Sequence, residues 1–166
     1  MLFEGELRSL MAKKVQIAKA SPDAYNAVVD IAELLDVKLI KTDFEIRASY
    51  FSTDQEKLKF VYKCDLVAKH FSPDDGRLIG TFEVEAGAKY SRQFLLRSRA
   101  HYVIAFEILG APEENAALTY LSRVGAFGIW PYFRSHFAHL CGSAGAEAPP
   151  LPIMRGNLPK KVQAEE

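Results

Sequence analysis

Apolar and polar residues alternate with a period of two through several long segments in the first two thirds of the chain. The clearest run, residues 58–69, sets Leu58 and Phe60 on one side of the backbone and Lys59 on the other. This period is typical of a β-strand that buries one face and leaves the other in water. Similar runs lie at residues 40–50, 78–85 and 102–108. The alternation predicts a four-stranded antiparallel sheet over residues 37–109.

The run at residues 40–50 also predicts which side chains share a face of the sheet. Ile40, Phe44, Ile46, Ala48 and Tyr50 are expected on the buried side, with lysine, aspartate, glutamate and arginine between them. A polar turn at residues 52–56 and a proline–glycine turn at residues 72–76 then separate successive strands. We therefore expect consecutive strands to pair with one another.

Helical patterns flank the predicted sheet. Ser21 and Pro22 supply a cap and a first-turn residue to a run with apolar spacings of three and four, which predicts an amphipathic helix over residues 22–35. An acidic first turn followed by a helical apolar pattern predicts a long helix over residues 113–142. Pro131 lies inside it, so a kink or a restart is expected there. The fold class is therefore α+β, with an extra N-terminal helix and a long kinked C-terminal helix.

The length of 166 residues fits one domain, so we expect a single domain over residues 1–166 that ends in a proline-rich tail, residues 148–166, with a mobile polar end. No apolar stretch reaches the roughly 20 residues that a membrane-spanning helix requires. Glu4 and Glu6 stand where a signal peptide would have a basic start. Cys64 and Cys141 form no CxxC pair and are expected to be buried thiols. A cytoplasmic protein without membrane insertion is the expectation.

The charges do not identify a partner. Lysine plus arginine and aspartate plus glutamate number 21 each, so the net charge is zero and no field attracts nucleic acid. The first half of the chain is acidic and the second half basic. Lys89, Arg92, Arg97 and Arg99 form a local basic patch without an intervening acid. We interpret this patch as a solvated face, with phosphate binding as the alternative.

Motifs for chemistry are missing from the sequence. Neither a GxxxxGK[ST] loop nor a GxGxxG loop occurs, so ATP or a dinucleotide is not expected as a cofactor. The predicted inward positions of the strands contain no Asp or Glu that could serve as a catalytic acid. His136, His139 and Cys141 have metal-ligand types, but no fourth ligand accompanies them. We therefore expect no enzyme, no metal and no cofactor.

Aromatic residues make up 11% of the chain and are concentrated on the long helix. Five of them fall within residues 127–137: Phe127, Trp130, Tyr132, Phe133 and Phe137. At helical spacing such rings often belong to a core. Here they point around more than half of the helix, so one sheet cannot cover them all. The surplus is expected to face another subunit or a ligand.

The order of four strands and a long helix, with Trp130-Pro131-Tyr132-Phe133-Arg134 and then Pro149-Pro150-Leu151-Pro152, resembles the SecB export chaperones over about residues 37–154. The family's helix motif is matched by Trp130, Pro131, Tyr132 and Arg134. Its acidic–aromatic strand segment is resembled by Asp43, Phe44 and Glu45, the first and last of which are the candidate SecA-facing residues.

The resemblance implies a homotetramer, a dimer of dimers, that holds unfolded preproteins in hydrophobic grooves without ATP and passes them to SecA. The five helix rings would line the groove. Lys41 stands where the family has a leading acidic residue, no last helix follows the proline-rich turn, and the helix at residues 22–35 is additional. The chain thus resembles the divergent SecB-like branch, some members of which are chaperones of toxin–antitoxin pairs. Two other classes stay open: a small-ligand enzyme or binding protein with a closed pocket, and a structural protein with one antitoxin partner.

Overall fold

The computed structural model describes residues 15–154 and contains one antiparallel sheet of four strands. The strands are β1 (Ala32–Ile46), β2 (Lys59–Ser72), β3 (Arg77–Tyr90) and β4 (Gln93–Ile108), in the spatial order β1-β4-β3-β2. The helices are α1 (Pro22–Ile31), the four-residue α2 (Ser49–Ser52) and α3 (Glu114–Ser143). A 3-10 turn spans Gln55–Lys57. The predicted α+β class and the four antiparallel strands are confirmed, but the expected pairing of consecutive strands is wrong for β1, which pairs with β4 and not with β2. The polar end of the predicted tail, residues 155–166, lies outside the described residues.

The boundary between α1 and β1 differs from the prediction. The helix ends at Ile31, four residues earlier than expected, and β1 begins at Ala32. Ala32 and Leu34 pair with Ile108 and Phe106 of β4, so a ladder to a distant part of the chain overrides the local helical pattern. The strand also ends at Ile46, so Ala48 and Tyr50 belong to the connection that contains α2 rather than to β1.

Two irregularities in β1 change which residues share a face. The pairing with β4 shifts register between Leu34 and Asp36 and again between Leu39 and Lys41, which leaves Leu35 and Ile40 as the extra residues. The prediction that Ile40 shares a face with Phe44 and Ile46 is therefore wrong. An inserted residue moves the following side chains to the opposite face, and counting every second residue along the sequence does not detect it.

The core lies between the inner face of the sheet and α3. Phe82 of β3 and Ile104 of β4 are buried and lie against the helix at Gly125. Gly125 allows the close approach, since a Cβ at this position would stand 2.8 Å from the Phe82 ring. α3 packs mainly on β2, β3 and β4 and leaves most of β1 exposed. Cys64 and Cys141 are buried and free, as predicted.

The long helix continues through Pro131 without a break, so the alternative of a second helix that restarts there is wrong. Proline has no N–H, and the carbonyl of Phe127 therefore lacks its usual partner one turn later. Both residues are exposed, which places the missing bond on the solvent side of the helix. α3 begins and ends within one residue of the prediction.

The extra N-terminal helix packs against the first half of α3. Ser21 Oγ accepts a hydrogen bond from the Ala24 N–H and caps α1, as the sequence predicted. Val28 is buried, and the Tyr25 ring lies 6.3 Å from the Tyr120 ring of α3. No helix within residues 15–154 is long and apolar enough to cross a membrane.

Candidate functional site

The five aromatic residues of α3 divide into a buried and an exposed group. Trp130, Phe133 and Phe137 are at most 2% exposed, whereas Phe127 is 37% and Tyr132 is 53% exposed. The buried rings contact each other: the ring centroids of Trp130 and Phe133 lie 5.8 Å apart, and those of Phe133 and Phe137 lie 6.2 Å apart. Trp130 also packs 5.5 Å from Tyr62 of β2. Within a single chain, Trp130 and Phe133 are core residues and offer no surface to a client.

A cavity of about 800 Å³ opens beside the C-terminal half of α3. The helix contributes one wall through Phe137, Ala138 and Cys141. The opposite wall is the segment that follows the helix, residues 146–152, which we call the proline strap. Gln55 also lines the cavity, and the lining residues of the proline strap are Ala146, Glu147, Ala148, Pro149, Pro150 and Leu151. The cavity is thus mostly apolar, and Phe137, although buried, forms part of its wall.

Three side chains hold the proline strap in place through its carbonyl groups. Trp130 Nε1 donates to the Pro152 carbonyl over 2.7 Å, and Arg134 Nε donates to the Leu151 carbonyl over 2.8 Å. The Tyr50 hydroxyl donates to the Glu147 carbonyl. Prolines have no N–H and cannot join a regular ladder, so side-chain donors take the place of backbone pairing here. The width of the cavity therefore depends on these three donors.

Two of the four residues of the helix motif line the cavity. These are Pro131 and Arg134, and Tyr132, the residue after Pro131, is exposed. Arg134 forms no ion pair with any residue of the described range. Tyr50, which the sequence placed on a strand, contacts the exposed Phe51 ring edge-on at 5.7 Å. The sequence did not indicate Tyr50 as a site residue, because its hydrogen-bond partner, the Glu147 carbonyl, is 97 positions away.

The titratable groups near the cavity do not resemble a catalytic set. Burial raises the pKa of Cys141 to about 11, so its thiol is protonated at neutral pH and a weak nucleophile. His136 Nε2 lies 3.0 Å from Thr42 Oγ1 of β1, and burial together with nearby His139 lowers its pKa. Among residues 15–154, no group of three or more His, Cys, Asp or Glu side chains is placed to hold a metal ion.

A second apolar surface lies along β1. This strand is at the edge of the sheet, and four of its large apolar side chains are exposed: Leu34, Leu35, Leu39 and Ile40. Leu34 is 52% and Ile40 is 57% exposed. An apolar edge strand with unpaired backbone groups is typical of a surface that another chain covers. The sequence assigned Leu34 and Leu35 to a helix, and this surface was therefore missed.

Asp43 and Glu45 lie on the outer face of β1, the face turned away from α3. Asp43 is paired in register with Arg99, and Glu45 with Arg97. Lys41 Nζ stands 3.7 Å from Asp43, and Arg47 Nε stands 3.9 Å from Glu45. Each of these two carboxylates thus has a cation nearby on its own strand and another on the neighbouring strand, so its negative charge is partly offset.

No family model matches the sequence, and no curated protein matches it. Among solved structures, the chain is similar to the SecB-like chaperone of Mycobacterium tuberculosis in complex with a ChAD peptide from the HigA1 antitoxin. The TM-score is 0.69 at 16% sequence identity, and the match covers 82% of this chain and 99% of that chain. The chain therefore has a divergent SecB-like fold, as the order of its elements along the sequence and its helix motif predicted.

Proposed function

We propose that this protein is an ATP-independent chaperone, a holdase, that binds unfolded polypeptide in the cavity between α3 and the proline strap. The observation that carries the proposal is the cavity itself: it is about 800 Å³, mostly apolar, and opens at the surface. Apolar walls impose no sequence code, so they suit many unfolded segments. The SecB-like fold, shared with a solved chaperone, supports the same role.

The open cavity supports polypeptide over a small-molecule substrate. A small-ligand enzyme would be supported by a closed pocket containing a perturbed acid or histidine. The one thiol in the described walls, Cys141, is protonated at neutral pH because burial raises its pKa to about 11. Exposed rings outside the cavity, Phe127, Tyr132 and Phe51, extend the apolar surface that a long client could reach.

Affinity considerations support an oligomer. A ring that becomes half buried contributes about 2 kcal/mol, from roughly 80 Å² at ~25 cal/mol/Å². Three such rings contribute about 6 kcal/mol, which is less than the roughly 8 kcal/mol of micromolar binding. Several cavities that engage one long client raise the affinity through effective concentration.

The exposed edge of β1 is our candidate for the first contact between copies. A second copy that covers Leu34, Leu39 and Ile40 would remove the apolar side chains from water and satisfy the free backbone groups. The homotetramer, a dimer of dimers, is the assembly that the resemblance implies. We propose that this tetramer forms in the cytoplasm.

A dedicated antitoxin partner is the second candidate function. It is favoured by one observation: the similar M. tuberculosis chaperone was solved with a ChAD peptide from the HigA1 antitoxin. Delivery of preproteins to SecA is the other branch implied by the resemblance. Asp43 and Glu45, its candidate residues, each neighbour a cation, so we place antitoxin binding ahead of export.

Suppression of aggregation of a chemically unfolded client tests the holdase proposal. At one oligomer per client we expect light scattering to fall, and Ala138→Glu, which introduces a charge at the cavity wall, to abolish the effect. His139→Glu introduces the same side chain at the next position of α3, which does not line the cavity, and is the matched control. No suppression by the unmodified protein would sink the proposal. Co-purification of one stable partner without general suppression would support the antitoxin candidate instead.

A further inference from the structure

A cluster of cations lies at the end of the sheet where β1 and β3 finish and β2 and β4 begin. We call it the basic end, and it consists of Arg47, Lys59, Lys89, Arg92 and Arg97. Lys59, Lys89 and Arg97 lie on the outer face of the sheet, opposite α3. The basic end therefore lies apart from the cavity of the proposed chaperone site.

Two of these cations stand side by side without a counter-charge. Lys59 of β2 and Lys89 of β3 are direct cross-strand partners. Like charges at such positions repel each other and weaken a sheet. Neither lysine forms an ion pair with a described residue, and neither does Arg92. Within residues 15–154, no acidic side chain therefore offsets this repulsion.

An aromatic ring fixes part of the cluster. Lys89 Nζ lies 4.3 Å from the centroid of the Phe94 ring, and Arg97 Cζ lies 4.7 Å from it. The ring rests over Gly87, where a Cβ would stand 3.1 Å from Phe94 Cδ1. Cation–π contact orients the two cations. Arg97 also donates to Glu85, whereas Lys89 has no carboxylate partner among the described residues. Beside the ring, a hollow of about 180 Å³ is lined by Arg47, Gln93 and Arg97, with Glu45 also in its wall.

The nearby carboxylates are already engaged or loosely held. Glu85 accepts from both Arg97 and Arg99 through one oxygen. Glu45 is 3.9 Å from Arg47, and both side chains are more than half exposed. Lys59, Lys89 and Arg92 are therefore the cations left for a ligand.

We infer that the basic end binds a short acidic segment of a partner polypeptide in an extended conformation. Lys59 and Lys89 lie on neighbouring strands about 4.8 Å apart, and alternate side chains of an extended segment are about 7 Å apart, so flexible lysines can meet two carboxylates. Beyond the cluster, the cations Lys41 and Lys63 of the outer face are paired with Asp43 and Glu83, so no free run of cations continues along the sheet for a long phosphate backbone. The zero net charge also gives nucleic acid no long-range attraction.

The probe is a fluorescein-labelled peptide, Gly-Ser-Glu-Ser-Glu-Ser-Glu-Ser-Gly, with the Glu-to-Lys version and a dT12 oligonucleotide as comparisons. Anisotropy at low salt measures affinity, and carbodiimide coupling followed by mass spectrometry locates the bound carboxylates. We expect binding by the acidic peptide alone, and coupling concentrated at Lys59 and Lys89. The double variant Lys59→Gln/Lys89→Gln should weaken binding about fivefold, from two exposed ion pairs.

Lys69→Gln is the matched control, because Lys69 is an exposed lysine near the other end of β2. It should leave affinity unchanged. Coupling at Lys69 equal to that at Lys59 and Lys89, an unaffected double variant, or no anisotropy change would overturn the inference. Tighter binding of dT12 would overturn it in favour of a polyanion site. None of these results depends on client holding, so this inference and the proposed chaperone function can fail separately.

Discussion

Trp130 Nε1 donates a hydrogen bond of 2.7 Å to the carbonyl of Pro152, which joins the core of the protein to the wall of the cavity. The same indole ring packs against Tyr62 and Phe133. Stability and cavity shape therefore share one side chain. The Trp-Pro-Tyr-x-Arg motif gains a physical meaning, since its tryptophan and its arginine both hold the proline strap.

Replacement of Trp130 separates these two roles. Trp130→Ala removes a fully packed ring and should lower the free energy of unfolding by about 3–5 kcal/mol. Trp130→Phe keeps a ring but removes the donor to Pro152, so it should lower the free energy of unfolding by about 1–2 kcal/mol. It should also weaken client holding by more than this loss of stability explains. Chemical denaturation and the aggregation assay measure the two effects. Equal holding by Trp130→Phe and the unmodified protein would show that the bond does not shape the cavity.

Tyr50→Phe tests the other end of the proline strap. The hydroxyl is the only part removed, so the ring contacts of Tyr50 with the core and with Phe51 persist. We expect a loss of about 1 kcal/mol in the free energy of unfolding and faster proteolysis within residues 146–152. Ser52→Ala, which removes an exposed hydroxyl in the same short helix, is the control. If proteolysis is unchanged, Glu147 is held by other contacts.

Much of the fold could be predicted because three of the four strands pair with a neighbour in sequence. β2, β3 and β4 form consecutive hairpins, and their alternation keeps its phase through most of each strand. β1 was the exception. It pairs with β4, far along the chain, and its two bulges interrupt the alternation at Leu35 and Ile40. A pattern that depends on local spacing cannot reveal a partner or an inserted residue of this kind.

The candidate site was predictable only in part. The aromatic cluster lies on α3, the helix that lines the cavity, but spacing alone could not show that Trp130 and Phe133 turn inward while Tyr132 is exposed. The proline strap and Tyr50 were beyond sequence reasoning for another reason. Their contacts are side-chain bonds to backbone carbonyls, and every residue has a carbonyl, so no residue pattern reports them.

The exposed apolar edge of β1 predicts how the oligomer can be broken. Leu34→Lys/Ile40→Lys introduces two charges at exposed positions, so the free energy of unfolding of the single chain should change by no more than about 0.5 kcal/mol per site. The oligomer should dissociate, since the charges would be buried between copies. Sedimentation velocity measures the mass. Leu109→Lys, an exposed apolar site outside the strands, should leave the mass unchanged. An intact oligomer in the double variant would exclude β1 as the interface.

Stability should depend on pH through two histidines. Burial lowers the pKa of His101 and of His136 below their ordinary value of 6.5, so the unfolded chain binds these protons more readily than the folded one. This contribution to stability is present above about pH 6.5 and is lost as the pH falls through the folded pKa values. We expect the free energy of unfolding, from urea denaturation, to decrease as the pH is lowered from 7.

The variant His101→Gln/His136→Gln should flatten this decrease, because neither site then titrates. Glu83→Gln provides the contrast at lower pH. Burial alone would raise the pKa of Glu83, but the hydrogen bond and charge of Lys63 outweigh burial and hold that pKa below its ordinary 4.5. The stabilising contribution of ionised Glu83 is therefore present above about pH 4.5 and is lost only as the pH falls further, so Glu83→Gln should change the pH dependence only in that lower range. An unchanged slope below pH 7 in the double histidine variant would show that other groups control the pH dependence.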